Sequence, residues 1–193
     1  MANEVTNNIT ITFNSGPVGE KAAKVFEWIN QNDSLLAPDL YPDKPEDRLI
    51  DRGWMENNIG GKWARNDEIE ISKADDGNYH DAHINIGTAW SACTPWVQHL
   101  IEYLEDGFTI THTYVDECLN FIGSNVWDDD DLIYSFDDED FYTTLEAETK
   151  VRAKDAGMVL EDMSAESLDE WQSDWMWDFV YETVEPPEEV YSG

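Results

Sequence analysis

Basic side chains are scarce in this chain. Lysine and arginine supply 11 of 193 residues against 43 aspartates and glutamates, a formal charge of −32 at pH 7. Neither occurs from Ala74 to Thr149, nor from Asp155 to the end. That poverty excludes DNA, RNA and anionic membranes as direct ligands, because their phosphates repel such a surface. Cysteine is almost absent too. Cys93 and Cys118 allow one disulfide at most, which fits an intracellular protein with reduced thiols. No apolar run approaches the roughly 18 residues that a membrane span needs. The opening "MANEVTNN" has neither the basic nor the apolar region of a secretory signal, so a protein of the host-cell cytoplasm is expected.

Hydrophobic residues make up 41% and aromatics 12%, with nine tryptophans. Disordered acidic tails are poor in aromatics, so this chain is expected to fold. Charge of this size destabilises a compact state, and some compensating use for it is expected. It is also unevenly placed. Residues 127–193 hold 22 acids and 3 bases, a formal −19, while the longer stretch 1–126 holds 21 and 8, a formal −13.

Along the chain, "EVTNNITITF" (4–13) alternates and is β-branched, the pattern of a first strand. "NSGPVGEKAAKVFEWINQ" follows with helical spacing of Val25, Phe26, Trp28 and Ile29. Residues 33–53, with Pro38, Pro42 and Pro45, read as an irregular connection. "NDEIEIS" (66–72) and "YHDAHINIGTAW" (79–90) read as strands. "TPWVQHLIEYLEDG" (94–107) reads as a helix with Pro95 in its first turn and Gly107 as its stop. "FTITHTYVDE" and "CLNFIGSNVW" read as further strands. The order strand–helix–strand–strand–helix–strand is the split βαβ pattern of an α+β, ferredoxin-like sandwich, expected over residues 1–130.

Beyond it, residues 131–186 are expected to form an acidic, Trp-rich helical extension packed on the sandwich, with 187–193 a frayed tail. Residues 137–157 read as one helix. Residues 167–184 read as a clearer one, with Ser167 and Glu170 as a capping box and Leu168, Trp171, Trp175 and Phe179 on one apolar stripe.

Four spaced motifs occur together: "NNITITF", "NIGGKWA" (58–64), "GTAWSACTPW" (87–96) and "DECLNFIG" (116–123). As a set they resemble the YubB-like ferredoxin-fold family, domains of unknown function carried by bacteriophages and conjugative plasmids. Gly60, Lys62 and Trp63 match that family's first core motif, and Ile59 and Gly61 depart from it. Thr88, Ala89, Trp90 and Ser91 match the second, with Ala92 and Cys93 where two prolines belong. Glu117, Phe121 and Gly123 fit the third. The resemblance covers roughly residues 5–130; it implies the sandwich fold and a mobile-element origin, and no activity.

The acidic clusters are the candidate site. "SNVWDDDDLIYSFDDEDFY" (124–142) sets Asp128, Asp129, Asp130, Asp131, Asp137, Asp138, Glu139 and Asp140 among aromatic and aliphatic residues. In the last predicted helix, Glu170, Asp174, Asp178 and Glu182 recur every fourth residue, which places them on one face about 6 Å apart. Like charges so spaced cost a helix a few tenths of a kcal/mol per pair, and a face needed only for solubility would mix signs. Duplex DNA carries one charge per roughly 1.7 Å of its axis. A carboxylate ridge beside an exposed Trp177, off the apolar stripe, therefore reads as an imitation of nucleic acid. The expected partner is a host nucleic-acid-binding defence protein, a CRISPR effector or a restriction enzyme, inhibited by competition for its DNA channel.

Other readings fit less well. Asp128, Asp130 and Glu139 stand at EF-hand positions 1, 3 and 12, but Leu132 and Ile133 replace a ligand and the required glycine. "NIGGKWA" lacks the Walker spacing. His80, His83, His99 and His112 with Cys93 and Cys118 lack zinc spacing, and no nucleophile–base signature appears. No enzymatic activity, cofactor or metal is expected. The alternative is a structural or adaptor module whose acidity serves solubility or salt adaptation. A third reading, a small-ligand or enzymatic role of the sheet centred on Lys62, Trp63 and Trp90, requires a pocket beside those residues.

Overall fold

The computed structural model describes residues 3–46 and 50–192. Its elements are β1 (Glu4–Phe13), α1 (Gly16–Asn32), α2 (Arg52–Asn58), β2 (Ala64–Lys73), β3 (Tyr79–Ala89), α3 (Thr94–Leu104), β4 (Phe108–Asp116), β5 (Ile122–Asp128), β6 (Asp131–Asp138), α4 (Phe141–Asp155), α5 (Ala165–Ser173) and α6 (Met176–Val184). The strands form one antiparallel sheet in the order β2-β3-β1-β4-β5-β6. The protein is therefore α+β. Among the described residues no helix is long and apolar enough to cross a membrane.

Strand alternation sorts the two faces of the sheet. Ile9, Ile11 and Phe13 of β1 point to one face with Ile84 and Ile86 of β3 and Phe108 and Ile110 of β4. There they meet Ala22, Phe26 and Ile29 of α1 and Trp96, Val97 and Leu100 of α3 in the main core. The opposite face is polar across β1 and β3. At the end of β4 and the start of β5 it becomes apolar, where Val115 and Ile122 join Phe141 and Leu145 of α4 and Val180 and Val184 of α6 in a second cluster. This cluster fastens the acidic C-terminal segment to the sheet.

Several expectations need correcting. Residues 131–138 are not helical but a sixth strand. Tyr134 and Phe136 pair with Val126 and Ser124, and the wholly buried run 122–127 requires a hydrogen-bonding neighbour on that side. The sheet thus runs on past residue 130 without a break. The expected helix 167–184 is two helices, α5 and α6, interrupted at Asp174–Trp175. Trp175 leaves helical geometry so that its ring lies under the Arg152 guanidinium (4.5 Å) and edge-on to Phe179 (6.3 Å). The cap of α5 is Ser164, whose hydroxyl accepts from the Ser167 amide at 3.2 Å, so the Ser167–Glu170 box does not form.

Two more differences lie in segments read as irregular. In the connection 33–53, whose residues 47–49 lie outside the described ones, Asp51 accepts from the Trp54 amide (2.9 Å) and starts α2. In the expected frayed tail, Glu188–Ser192 form a 3₁₀ turn and the Tyr191 hydroxyl meets Thr111 at 3.0 Å; Gly193 lies outside the described residues.

Phe141 is fully buried and stacks on Phe179 with centroids 5.9 Å apart. Phe141→Ala is expected to cost about 3–5 kcal/mol in urea unfolding, as for other buried aromatic truncations. It should also expose residues 139–192 to limited proteolysis. A variant as stable and as resistant as the parent would show that this cluster does not hold the segment down.

Candidate partner-binding surface

The hairpin β5–β6 turns at Asp129–Asp130, and its four aspartates have separate duties. Asp129 is half-buried with φ of 53°, a left-handed conformation that aspartate tolerates better than most residues. Its carboxylate accepts from the amides of Gly107 (2.6 Å) and Phe108 (3.1 Å), clasping the hairpin tip to the start of β4. One oxygen of this expected partner contact is thus already engaged within the fold. Asp128 is exposed and accepts from the Thr109 hydroxyl at 3.2 Å. Asp130 and Asp131 stand exposed at the tip. Because residues 128–138 form this hairpin, the calcium-loop conformation is not adopted.

The second cluster lies at the entry to α4. Asp138 is half-buried and accepts from the Asp140 amide (3.1 Å) and the Thr144 hydroxyl (2.7 Å), while Asp140 accepts from Thr143 (2.9 Å). Carboxylates here suit the positive end of the helix. Asp137 is exposed and accepts from the Tyr114 hydroxyl at 3.3 Å. The Tyr114 ring reaches it by crossing Gly123, where a Cβ would collide with the ring. Burial, then the Asp137 charge, push the Tyr114 phenol up to about 12. Glu139 is exposed.

Glu170, Asp174, Asp178 and Glu182 are all exposed. They do not form one helical row, since Glu170 belongs to α5, Asp174 ends it, and Asp178 and Glu182 belong to α6. The interruption takes the four out of a single register of like charges. Trp177 is 42% exposed, with its ring 6.1 Å from that of Tyr181. Trp175 and Phe179 pack against the second cluster, and Trp171 meets Trp175 edge-on at 5.7 Å.

Sequence reasoning missed a cleft of about 950 Å³ between the polar sheet face and the chain around α6. Threonines at every second position of β1 and β4 floor it, and Tyr181, Glu185 and Tyr191 wall it. The available signal was the period-2 threonine spacing in "NITITF" and "FTITHT". This cleft and a smaller cavity beside Ile59 and Ala64 are lined by residues other than Lys62, Trp63 and Trp90. Instead Arg52 and Lys62 lie against the Trp90 ring, at 4.7 and 4.9 Å.

The closest approach to a catalytic pair is Cys93 and His112, with Sγ 3.8 Å from Nε2. Both are fully buried. The Asn7 side-chain oxygen accepts from the Cys93 amide (2.8 Å) and from His112 Nε2 (3.0 Å), while its nitrogen donates to Thr88 Oγ1 (3.0 Å). Burial raises the thiol and lowers the imidazole to about 3, so both are neutral near pH 7 and the thiolate a nucleophile needs is disfavoured. This network ties β1 to β4 and to the start of α3. Among the described residues no group of three histidine, cysteine or acidic side chains is arranged to hold a metal.

Comparison with known protein families, with curated proteins and with solved structures finds no match to any of them.

Because His112 stays unprotonated in the fold down to about pH 3, the unfolded chain binds a proton that the folded chain refuses between there and its ordinary value of 6.5. The stability this supplies is complete above that window and is lost as pH falls through it. His112→Gln keeps a donor for Asn7 and removes the titration. The stability advantage of parent over variant should therefore shrink by on the order of 1–3 kcal/mol between about pH 7 and about pH 4. An advantage constant over that range would contradict a neutral, buried histidine.

Proposed function

We propose that this protein is a DNA mimic of a phage or mobile element that inhibits a host nucleic-acid-binding defence protein. The observation that carries the reading is the state of the acids after Lys154. Eleven follow Asp155, from Glu161 to Glu189, no lysine or arginine accompanies them, and every one is exposed. Six of the earlier candidates, Asp128, Asp130, Asp131, Asp137, Glu139 and Asp140, add to this exposed surface. A salt-adapted surface would spread such an excess over the whole molecule rather than gather it in base-free stretches.

The mechanism is competitive and non-enzymatic. Carboxylates take the places of phosphates against the lysines and arginines of a DNA channel, and the field of the whole protein speeds encounter. Trp177 and Tyr181 supply a contact that salt does not screen. The proposal includes the finer architecture. The order β2-β3-β1-β4 with α1 and α3 on one face supports a ferredoxin-like unit, with α2 inserted and β5, β6 and the last helices added. The YubB-like resemblance of residues 5–130 is the basis for a mobile-element origin.

A panel of CRISPR effectors and restriction enzymes, each loaded with a fluorescent target duplex, tests this reading. The protein should release the duplex from at least one of them. Replacing Glu170, Asp174, Asp178 and Glu182 by Gln or Asn should preserve the fold, relieve repulsion, and weaken release by about tenfold, or about 1.4 kcal/mol. Release from none, or a ternary complex in which the target binds duplex and protein with undiminished affinity, would refute mimicry.

A further inference from the structure

Thr10, Thr12, Thr109, Thr111 and Thr113 of neighbouring strands line the floor of the cleft, the hydroxyls of Thr10, Thr109 and Thr111 also meeting His83, Asp128 and Tyr191. A hydroxyl both donates and accepts, so this floor meets a peptide backbone or a planar cation with equal ease. The walls are of another kind. Tyr181 on α6 and Tyr191 beyond it stand 55% and 52% exposed, with Ile133 of β6 facing the same space at 47%. The Tyr191 hydroxyl, 3.0 Å from Thr111, pins the C-terminal turn across the floor. Two exposed carboxylates, Asp128 and Glu185, belong to the lining, and among the described residues no lysine, arginine or histidine does.

We propose that this cleft is the docking site for an arginine-bearing basic segment of the partner protein. The proposal rests on the mimicry reading for the sign of the partner's charge, and adds where that partner is gripped and by which residue type. Its volume, about 950 Å³, is at the upper end of the roughly 300–1,000 Å³ usual for ligand pockets and exceeds what one side chain fills. A guanidinium is planar, carries five N–H donors and is weakly hydrated. It lies flat on a tyrosine while its edge donates to a carboxylate and to threonine hydroxyls. An ammonium offers a point charge and uses the aromatic walls less well. Acids elsewhere on the surface attract cations without such walls; here attraction and apolar contact coincide.

A fluorescein-labelled peptide of alternating arginine and glycine, titrated against the full chain at physiological salt, is the probe. Asp128→Asn with Glu185→Gln should weaken its binding by about tenfold. The charge-matched variant Glu20→Gln with Asp75→Asn, exposed positions outside the cleft, should change it less than about twofold. Ile133→Lys, which sets a fixed cation on the exposed wall, should abolish the cleft component, and a citrulline-substituted peptide should not bind. Equal losses in the two charge-matched variants would reduce the effect to bulk attraction and overturn the proposal. So would spermine displacing the peptide with an affinity that depends on Asp128 and Glu185, since the occupant would then be a polyamine. Loss of the cleft with duplex release intact would leave mimicry standing; peptide binding without duplex release would remove mimicry and leave the cleft.

Discussion

Forty-three carboxylates against eleven strong bases repel one another in every compact arrangement. The fold answers by keeping most of them at the surface and by giving those it encloses specific donors. Asp129 receives two backbone amides at the hairpin tip, and Asp138 receives an amide and a hydroxyl at the entry to α4. Asp116, fully buried, takes the backbone and the side-chain nitrogen of Asn120 on one oxygen, while its other oxygen is buried without a partner. Attraction to bases contributes little, because pairs such as Arg52–Glu56, Lys150–Glu146, Lys21–Glu105 and the Arg65 contacts to Glu4 and Asp67 lie at the solvated surface. Cohesion comes from two apolar clusters on opposite faces of one sheet.

The second cluster gives the charge its form. Without Val115, Ile122, Phe141, Leu145, Val180 and Val184, the chain after Asp138 has no apolar partner and its acids would belong to a loose tail. Docked, it presents them from fixed helices, and ordering has been completed before any partner arrives. A rigid anionic surface loses less freedom on binding than a disordered one, which would favour the competition with DNA proposed above. The same docking encloses the threonine-floored cleft, so the surface for bulk attraction and the proposed grip on arginine share one origin.

Much of the sheet is legible in the sequence because its strands alternate. β1, β3 and β4 put apolar residues at alternate positions over part of their length, Ile9, Ile11 and Phe13, then Ala82, Ile84 and Ile86, then Phe108 and Ile110, and Pro95 marks the start of α3. α2 was hidden by its shortness and by the prolines before it; its only local mark is Asp51. β6 was obscured by the aspartates at both its ends, although Tyr134 and Phe136 alternate between them. The break at Trp175 leaves no trace in periodicity, since Leu168, Trp171, Trp175 and Phe179 keep helical spacing across it. What the break accommodates is a contact distant in sequence, the Trp175 indole lying under the Arg152 guanidinium. Asp129 shows the same limit within the site, for nothing in a run of four aspartates says which one the fold consumes. The threonine alternation was visible, but only the return of Tyr181, Glu185 and Tyr191 over it makes a cleft.

The most direct test of the central claim is the salt dependence of affinity for a defence protein whose duplex this protein releases. If carboxylates stand in for phosphates, log affinity should fall steeply and linearly with log salt. The slope should be shallower for the variant neutralised at Glu170, Asp174, Asp178 and Glu182. An affinity that salt leaves unchanged, or a slope identical in parent and variant, would contradict an electrostatic imitation of DNA by this surface.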